Sequence, residues 1–537
     1  MSHSLATDAP YPPLDGPGVN SESSSVTEDD LELKALGYVP SFKREFSNLA
    51  TISFAFSIMG VCSSVATTFN TPLLLGGPAS VTWCWLIGSC MCLTLGASIA
   101  EIVSAFPTCG GMYTAAGRLV PIRHRPIVGW VVGWTSVLAQ IAGLSSTEFG
   151  LANMIWSAVG VAYDGNYDVT PGKVVGLFAG LLMVHGLLNS FATRHLARFT
   201  TYFVFVNIGT TIVIIIVLLA TTHRSEMHPA SYVFGTAGII NGTGGWNTGI
   251  AFLLGLLSVQ WTMTDYDATA HISEEVRRAA YAAPSAIFIA VIGTGIMGWL
   301  LNIVLVLCSG PLEDLVGAES AFLEIMALRM GKPVALFLWA FVCLTAFFVA
   351  QTGLQAGSRT IFAFSRDRGF PDRGYFGRVS PSTKTPLRAI WLTTITSVLP
   401  GLLDLASPIA TNAIFALTAI AFDLSYIAPI FLRRLYRNHP EVIFKPGPFY
   451  MGDGIFGWAV NIACISWTLF VCVIFSLPNV LPATAQNMNY AAPITVGVIM
   501  LSGIWYLVGG WRFYKGPISG IDQGSAEDLR GRGEKEA

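Results

Sequence analysis

Residues Ser258–Glu275 read "SVQWTMTDYDATAHISEE". Two aspartates, Asp265 and Asp267, stand near the end of a long apolar run. A carboxylate at the centre of a bilayer costs about 2.5–3.5 kcal/mol on insertion scales. Acids in such a run therefore bind a solute, accept a proton, or cap and stitch an interrupted helix. Which of these holds decides what kind of membrane fold the chain adopts.

That the run lies in a membrane follows from the whole chain. Of 537 residues, 53% are hydrophobic and only 12% charged, about half the charged share of a soluble protein. Mean hydropathy is +0.59. A net charge of −2 argues neither for nor against nucleic acid, and none is expected as a partner. None of the nine cysteines forms a CxxC pair, so neither a metal site nor a disulfide framework is expected, and buried thiols are the simpler reading. Residues 1–40 and 516–537 are polar and read as disordered tails flanking one long apolar domain, 41–515.

A spanning helix needs about 20 mainly apolar residues. Twelve segments qualify: 47–75, 81–106, 127–161, 173–190, 200–221, 248–271, 285–308, 333–364, 389–406, 408–432, 455–480 and 492–510. The boundary between the ninth and tenth, "LLDLASPIATN", reads as a short turn or a kink. With the N-terminus placed in the cytoplasm, the inner segments hold 26 of the 30 Lys and Arg; the outer loops hold Lys173, Arg224, Arg329 and Lys332. That asymmetry predicts cytoplasmic termini and an even number of crossings. Trp and Tyr cluster at span ends, as "WCW" at 83–85 shows, and read as an interfacial belt.

Irregular backbone survives at membrane depth only where protein or a cavity covers it. Transporters built from two inverted repeats use paired interrupted helices in this way. The first span carries Ser57, Gly60, Ser63 and Ser64 mid-way, then Thr67, Thr68 and Asn70. The sixth carries Thr262, Thr264, Asp265 and Asp267. First and sixth are corresponding members if five helices repeat as five (about 47–221 and 248–432, with the last two at about 455–514).

Four stretches then carry a resemblance: "FSIMG" in the first span, "AEIVSAFPTCGGMY" after the second, "WTMTDYDATAHISEE" in the sixth and "RTIFAFSRDRGFP" after the eighth. Over residues 40 to 515 the chain resembles the amino acid–polyamine–organocation superfamily of secondary transporters. Within it, the chain is most similar to the fungal-type amino acid/choline branch, with its GABA permeases and choline carriers. The resemblance implies an all-α membrane fold of twelve helices, a five-plus-five inverted repeat with discontinuous helices 1 and 6, and alternating access. It also implies substrate contacts at Ser57, Met59, Gly60 and Val61 in the first break and at Trp261, Thr262, Thr264, Asp265 and Tyr266 in the second, with Phe348 on the opposite wall. Phe347, Gln351 and Thr352 are weaker candidates for that wall.

Bare carbonyls at the end of the first half of helix 6 favour a cation, and Asp265 would strengthen that or else cap the second half. Asp267, two residues on, points the other way on a helix and reads as a cap or internal partner. The aromatic faces of Trp261 and Tyr266 suit an ammonium group, or simply pack. Helix 1 has Gly60 but no Gly-x-Gly, a departure from the commoner superfamily pattern. Weaker α-carboxylate capture is expected, which suits a substrate like GABA or choline.

Glu148 either couples a proton or sits in outer water. Glu101 and Glu274, with Glu275, are expected in or near inner water, as a solvated cluster or paired with the arginines of "SRDRGFP" in a gate. Asn207 stands where some proton-coupled relatives have lysine. His185 and His271 show no metal pattern. Asn241 heads a glycosylation sequon in an outer loop. The combined expectation is a permease, not an enzyme, for amino acids or related small amines. H⁺ is the expected coupling ion ahead of Na⁺, with no cofactor, in the plasma membrane rather than the vacuole; exchange of polyamines or other organic cations is the alternative.

Overall fold

The computed structural model describes residues 27–405, 408–485 and 487–517, with backbone only for 408–412. Among these, ten helices are long and apolar enough to cross a membrane. They are helix 1 (Asn48–Leu75), helix 2 (Pro78–Ala105), helix 3 (Ile122–Ala162), helix 4 (Pro171–Asn189), helix 5 (Thr193–Thr221), helix 7 (Ala279–Leu307), helix 8 (Lys332–Arg366), helix 10 (whose apolar part is Ala413–Leu435), helix 11 (Ile455–Ile474) and helix 12 (Ala491–Phe513). The expected sixth and ninth are shorter: helix 6 begins with Thr248–Thr262, and helix 9 is Leu387–Gly401 continued by a 3-10 turn, Leu402–Leu405. The expected end of helix 9 at Ala406 lies outside the described residues. Among them β pairing is limited to one bridge, Phe46 to Val276.

Helices 1, 2, 6 and 7 pack as one group, and helices 3, 4, 8 and 9 as another, with helix 10 against helix 3. Small residues bring the first group close. A Cβ on Gly298 of helix 7 would stand 2.1 Å from the Trp85 ring of helix 2, whose indole N–H donates to the Gly295 carbonyl at 3.0 Å.

Helix 1 is interrupted at one residue. Gly60 takes φ 47, ψ 70, ending Asn48–Met59 and starting Val61–Thr68. A β-carbon there would meet Val349 Cγ2 at 2.2 Å, so both the left-handed backbone and the space demand glycine. Downstream hydroxyls take up the loosened carbonyls: Ser64 donates to Met59 O at 2.7 Å and Ser63 to Gly60 O at 3.1 Å. Helix 6 opens more widely. Its first part stops at Thr262, and helix resumes only at Ala268–His271. Thr264 Oγ1 donates to the Trp261 carbonyl at 2.8 Å, and Asp265 has φ 61.

The two ends of the described chain, residues 27–46 and 511–517, meet at one end of the bundle. Tyr38 donates to Asp367 Oδ2 at 3.0 Å, as does Tyr113 at 2.9 Å, while Tyr514 packs on Phe364 and Trp130. Part of the expected disordered tail is ordered: Glu28–Ala35 is a helix capped by Thr27. Arg44 holds it through Asp30 at 3.0 Å and reaches the carbonyls of Ser273 and Val276 at 3.1 and 2.8 Å. The acidic residues that make this segment look disordered are its docking groups. Residues 1–26 and 518–537 lie outside the described residues.

Candidate functional site

Where helices 1 and 6 are interrupted, they enclose a small cavity with helices 3, 8 and 10. Its volume is about 30 Å³, and Ser64, Gln140, Trp261, Asp265, Val349 and Thr418 are among its walls. That is room for about one water. At the end of the bundle away from the termini lies a far larger chamber of about 670 Å³, walled by Thr67 and Asn70 of helix 1, Asn153 of helix 3 and the loop residues Glu319 and Asn487.

Asp265 is buried yet lines the small cavity. Its Oδ1 accepts from Gln140 Nε2 at 3.0 Å. Trp261 faces the same cavity, its N–H donating to Ser146 Oγ at 3.0 Å. Thr262 and Thr264 complete this wall. Beside them the first part of helix 6 ends, and the partial negative charge of its last carbonyls lies there. Across the cavity, helix 1 presents Ile58 and Ser64, with the first amides of Val61–Thr68 free of helical partners as at any helix start. The helix 6 side of the cavity therefore carries a carboxylate and the carbonyl end of a helix, and the helix 1 side carries Ile58 and Ser64, with the start of Val61–Thr68 behind them.

Other expected contacts lie elsewhere. Phe348 stacks on Phe203 of helix 5 at 3.8 Å with rings nearly parallel, so Val349, Ala350 and Gly353 form the helix 8 wall in its place. Tyr266 is buried against Tyr426 and is not among the walls of the small cavity. Ser57, Met59, Gly60 and Val61 are buried behind the wall that Ile58 and Ser64 present.

Asp267 caps nothing with its side chain. It accepts from Tyr426 at 2.9 Å and faces His271 Nε2 at 3.1 Å, whose Nδ1 lies 2.9 Å from the Cys109 carbonyl. Donor atoms of Asp265, Asp267 and His271 all fall within 4.8 Å of one another, a set with the composition of a metal site that sequence spacing alone did not suggest. Asp267 has already committed its oxygens to Tyr426 and His271, however, and Asp265 one of its own to Gln140.

Glu101, Glu274 and Glu275 are buried and not a solvated cluster, and Glu274 takes the other expected course, pairing with Arg366 of "SRDRGFP". Glu101 pairs with Arg433 and accepts from the Met451 amide at 3.0 Å. Glu274 receives both terminal nitrogens of Arg366 at 3.0 Å and the Cys109 amide at 3.1 Å. Glu275 pairs with Arg359 at 2.8 Å, both fully buried. The reason is the packing of helix 8 across the end of helix 6, which removes water and leaves arginine as the partner. These pairs tie the helix 6 group to the helix 8 group at the end carrying the termini. Glu148 is also buried, bonded to His185 at 2.6 Å. Asn207 is buried in helix 5 with both amide atoms unpartnered among the described residues. Asn241 is engaged in its own turn, with Oδ1 accepting from Thr243 and Nδ2 donating to the Trp246 carbonyl.

Sequence reasoning missed Gln140, the partner of Asp265, and the buried pair Gln260–Asp423, joined at 2.9 and 3.1 Å. Each is a lone polar residue within an apolar run. That was the available signal, and it does not say which partner lies opposite.

Known proteins agree with this architecture. A family model described as amino acid permease matches residues 46–500. An uncharacterized amino-acid permease of Schizosaccharomyces pombe is 40% identical, covering 94% of this chain and 92% of that protein. Amino-acid permease 2 of Neurospora crassa is 35% identical over 93% and 90%. The GABA-specific permease of Saccharomyces cerevisiae is 32% identical over 93% and 87%. Among solved structures, a manganese transporter of Eremococcus coleocola aligns with a TM-score of 0.50 at 13% identity, covering 87% of this chain and 94% of that one. That last likeness speaks for the fold alone, the inverted five-plus-five repeat with helices 1 and 6 discontinuous. Fold, interrupted helices and relatives together make this chain an integral membrane transporter of amino acids, not an enzyme, and a member of the amino acid permease family.

Proposed function

We propose that the chain carries small amines whose carboxylate is remote from the amine, GABA-like in form, by proton-coupled alternating access. The observation that supports this most is Asp265, held at positive φ in the helix 6 break and lining the cavity shared with helix 1. Its carboxylate receives the ammonium group, and the amides opening the second half of helix 1 receive the carboxylate. The single-residue break at Gly60 exposes fewer amides than a longer glycine-rich turn would, which favours a flexible, extended substrate. The GABA-specific permease among the relatives fits this reading.

The Lys- and Arg-rich end that carries both termini faces the cytoplasm. In that orientation the buried ion pairs close the inner side, the large chamber faces outward, and the small cavity is the nearly collapsed binding site between them. Uptake then requires the Glu274–Arg366 and Glu275–Arg359 pairs to part. The plasma membrane is the expected location.

A second reading, exchange of choline, polyamines or other organic cations, is favoured by the pairing of Asp265 with the Trp261 indole in one wall. One experiment separates them. Purified protein in liposomes is offered radiolabelled 4-aminobutyrate, choline and putrescine, with and without an inward pH gradient. Accumulation of 4-aminobutyrate driven by the gradient is the expected result. Gradient-independent exchange of choline or putrescine, with 4-aminobutyrate excluded, would replace it with the second reading.

A further inference from the structure

His185 and Glu148 form a buried pair behind the cavity, and their hydrogen bonds fix its proton content. His185 lies on helix 4 and Glu148 on helix 3, both with no exposed side-chain surface. His185 Nδ1 is 2.6 Å from Glu148 Oε1, and Nε2 is 3.1 Å from the Phe347 carbonyl oxygen on helix 8. A carbonyl only accepts, so Nε2 carries a hydrogen. A neutral imidazole has only that one, which leaves a lone pair on Nδ1 facing the carboxyl oxygen. The 2.6 Å contact is a bond only with one more proton in it. Imidazolium with carboxylate and imidazole with carboxylic acid both satisfy this. The two have the same atoms and the same net charge of zero. Removing that proton leaves a net negative charge in a dry interior and sets two lone pairs against each other.

We propose that the Glu148–His185 pair is the site that binds the coupling proton; this rests on the proton-coupled reading above and names where that coupling resides. Two further features support it. Glu148 Oε2 is buried with no hydrogen-bond partner among the described residues, so the carboxyl is not locked into a structural network. From Phe347, helix 8 presents Gln351, Gln355 and Arg359 at four-residue steps along one face. The side-chain amides of Gln351 and Gln355 are buried and unpartnered among the described residues, as groups lining a water path would be. Arg359, bound to Glu275, ends this stripe at the seal near the termini. Asn189 bridges the pair to it, donating to the carbonyls of both His185 and Gln351.

The pair also touches the machinery of the binding site. Thr147, adjacent to Glu148, and Val349, two residues beyond Phe347, both line the small cavity. Val349 fills the space that Gly60 leaves at the helix 1 break. The groups facing the pair from neighbouring elements are Phe347 and Gln351 of helix 8, and Thr394 of helix 9 across Gly186. None of them titrates near neutrality, and the first charged group along helix 8 from Phe347 is Arg359. When the proton leaves, His185 keeps only one of its two bonds. Helix 4 is then released from helix 3 or from helix 8, and the wall carrying Val349 is freed to move.

The test has two readouts. Infrared difference spectra of the protein in liposomes, without substrate, are recorded on stepping the pH. Wild type is expected to show carboxyl or imidazole bands that vanish in Glu148→Gln and in His185→Gln; bands unchanged in both variants would overturn the assignment. Glu148→Gln keeps a neutral hydrogen-bonded partner for His185. It is therefore expected to lose pH-driven accumulation of 4-aminobutyrate while counterflow of the labelled amine continues, and wild-type accumulation would also overturn the assignment. Should Glu148→Gln not reach the membrane, His185→Gln decides by the same readouts. If wild type does not transport 4-aminobutyrate, the substrate reading fails and the infrared arm alone judges the proton site.

Discussion

Gln140 of helix 3 donates to Asp265 at 3.0 Å, across the cavity that the breaks in helices 1 and 6 enclose. The bond anchors a carboxylate that the backbone already holds at a positive φ of 61. One oxygen is thereby committed to the protein and the carboxylate's direction is set toward the cavity. A hydrogen bond to a charged group is worth about 1.5–3 kcal/mol, and that scale governs the first expectation.

Asp265→Asn keeps the shape of the side chain and removes its charge. Uptake of cationic amines is expected to fall by about tenfold or more, since each 1.4 kcal/mol is a factor of ten. The measure is KM and rate in liposomes, with surface delivery checked separately. Affinity equal to wild type would take Asp265 out of the site.

Gly60→Ala is expected to damage folding and transport together. Left-handed backbone costs a residue with a β-carbon about 1–2 kcal/mol, and overpacking against Val349 adds about 1–3 kcal/mol. Pairing it with Val349→Ala relieves the second cost only. Thermal unfolding in detergent should therefore place the double variant between Gly60→Ala and wild type.

Glu275→Gln leaves Arg359 charged and fully buried without its partner. Removing one side of a buried ion pair costs about 3–5 kcal/mol. The end of the bundle closed by this pair is expected to loosen, and maleimide labelling of buried Cys109, beside Glu274, to rise. The experiment is run with Cys90, Cys343 and Cys472 replaced by serine. Glu275→Gln/Arg359→Met, which removes both charges, should label less than the single variant.

Asp367, one residue beyond helix 8, gives the same end a dependence on pH. Burial pushes its carboxyl up to about 6, opposed by Arg366, by bonds from Tyr113 and Tyr38, and by Arg118. Tyr38 and Tyr113 are themselves raised, first by burial and then by Asp367; Tyr514 is raised likewise. A raised carboxyl binds its proton more tightly in the folded chain than in the unfolded one, so the fold gains stability as pH falls from about 6 toward the ordinary value of 3.8. Thermal unfolding in detergent should accordingly move to higher temperature over that window. Asp367→Asn, neutral at every pH, should remove the dependence.

The two breaks were legible because polar and glycine residues interrupt apolar runs at Gly60 and Thr262–Asp267, and hydrocarbon tolerates that only beside a cavity. The buried pairs were legible only in part. Arg366 and Glu274 stand out singly, but nothing in either stretch says that water is excluded where they meet. Glu148 and His185 lie 37 residues apart on different helices, and their encounter is fixed by how helices 3, 4 and 8 pack. The same limit hid the partners Gln140 and Tyr426. The helix at Glu28–Ala35 was obscured for another reason: composition reports the absence of a core, and this helix is held by charge to Arg44 and by Asp29 to the Arg278 amide at 2.8 Å.

The most direct measurement is a structure of the protein determined by electron microscopy in lipid nanodiscs with a transported amine bound. Density joining Asp265 to the amides beyond Gly60, with helices 1 and 6 interrupted on either side, is the result this account expects. Two unbroken helices there, or an amine seated away from both, would contradict it.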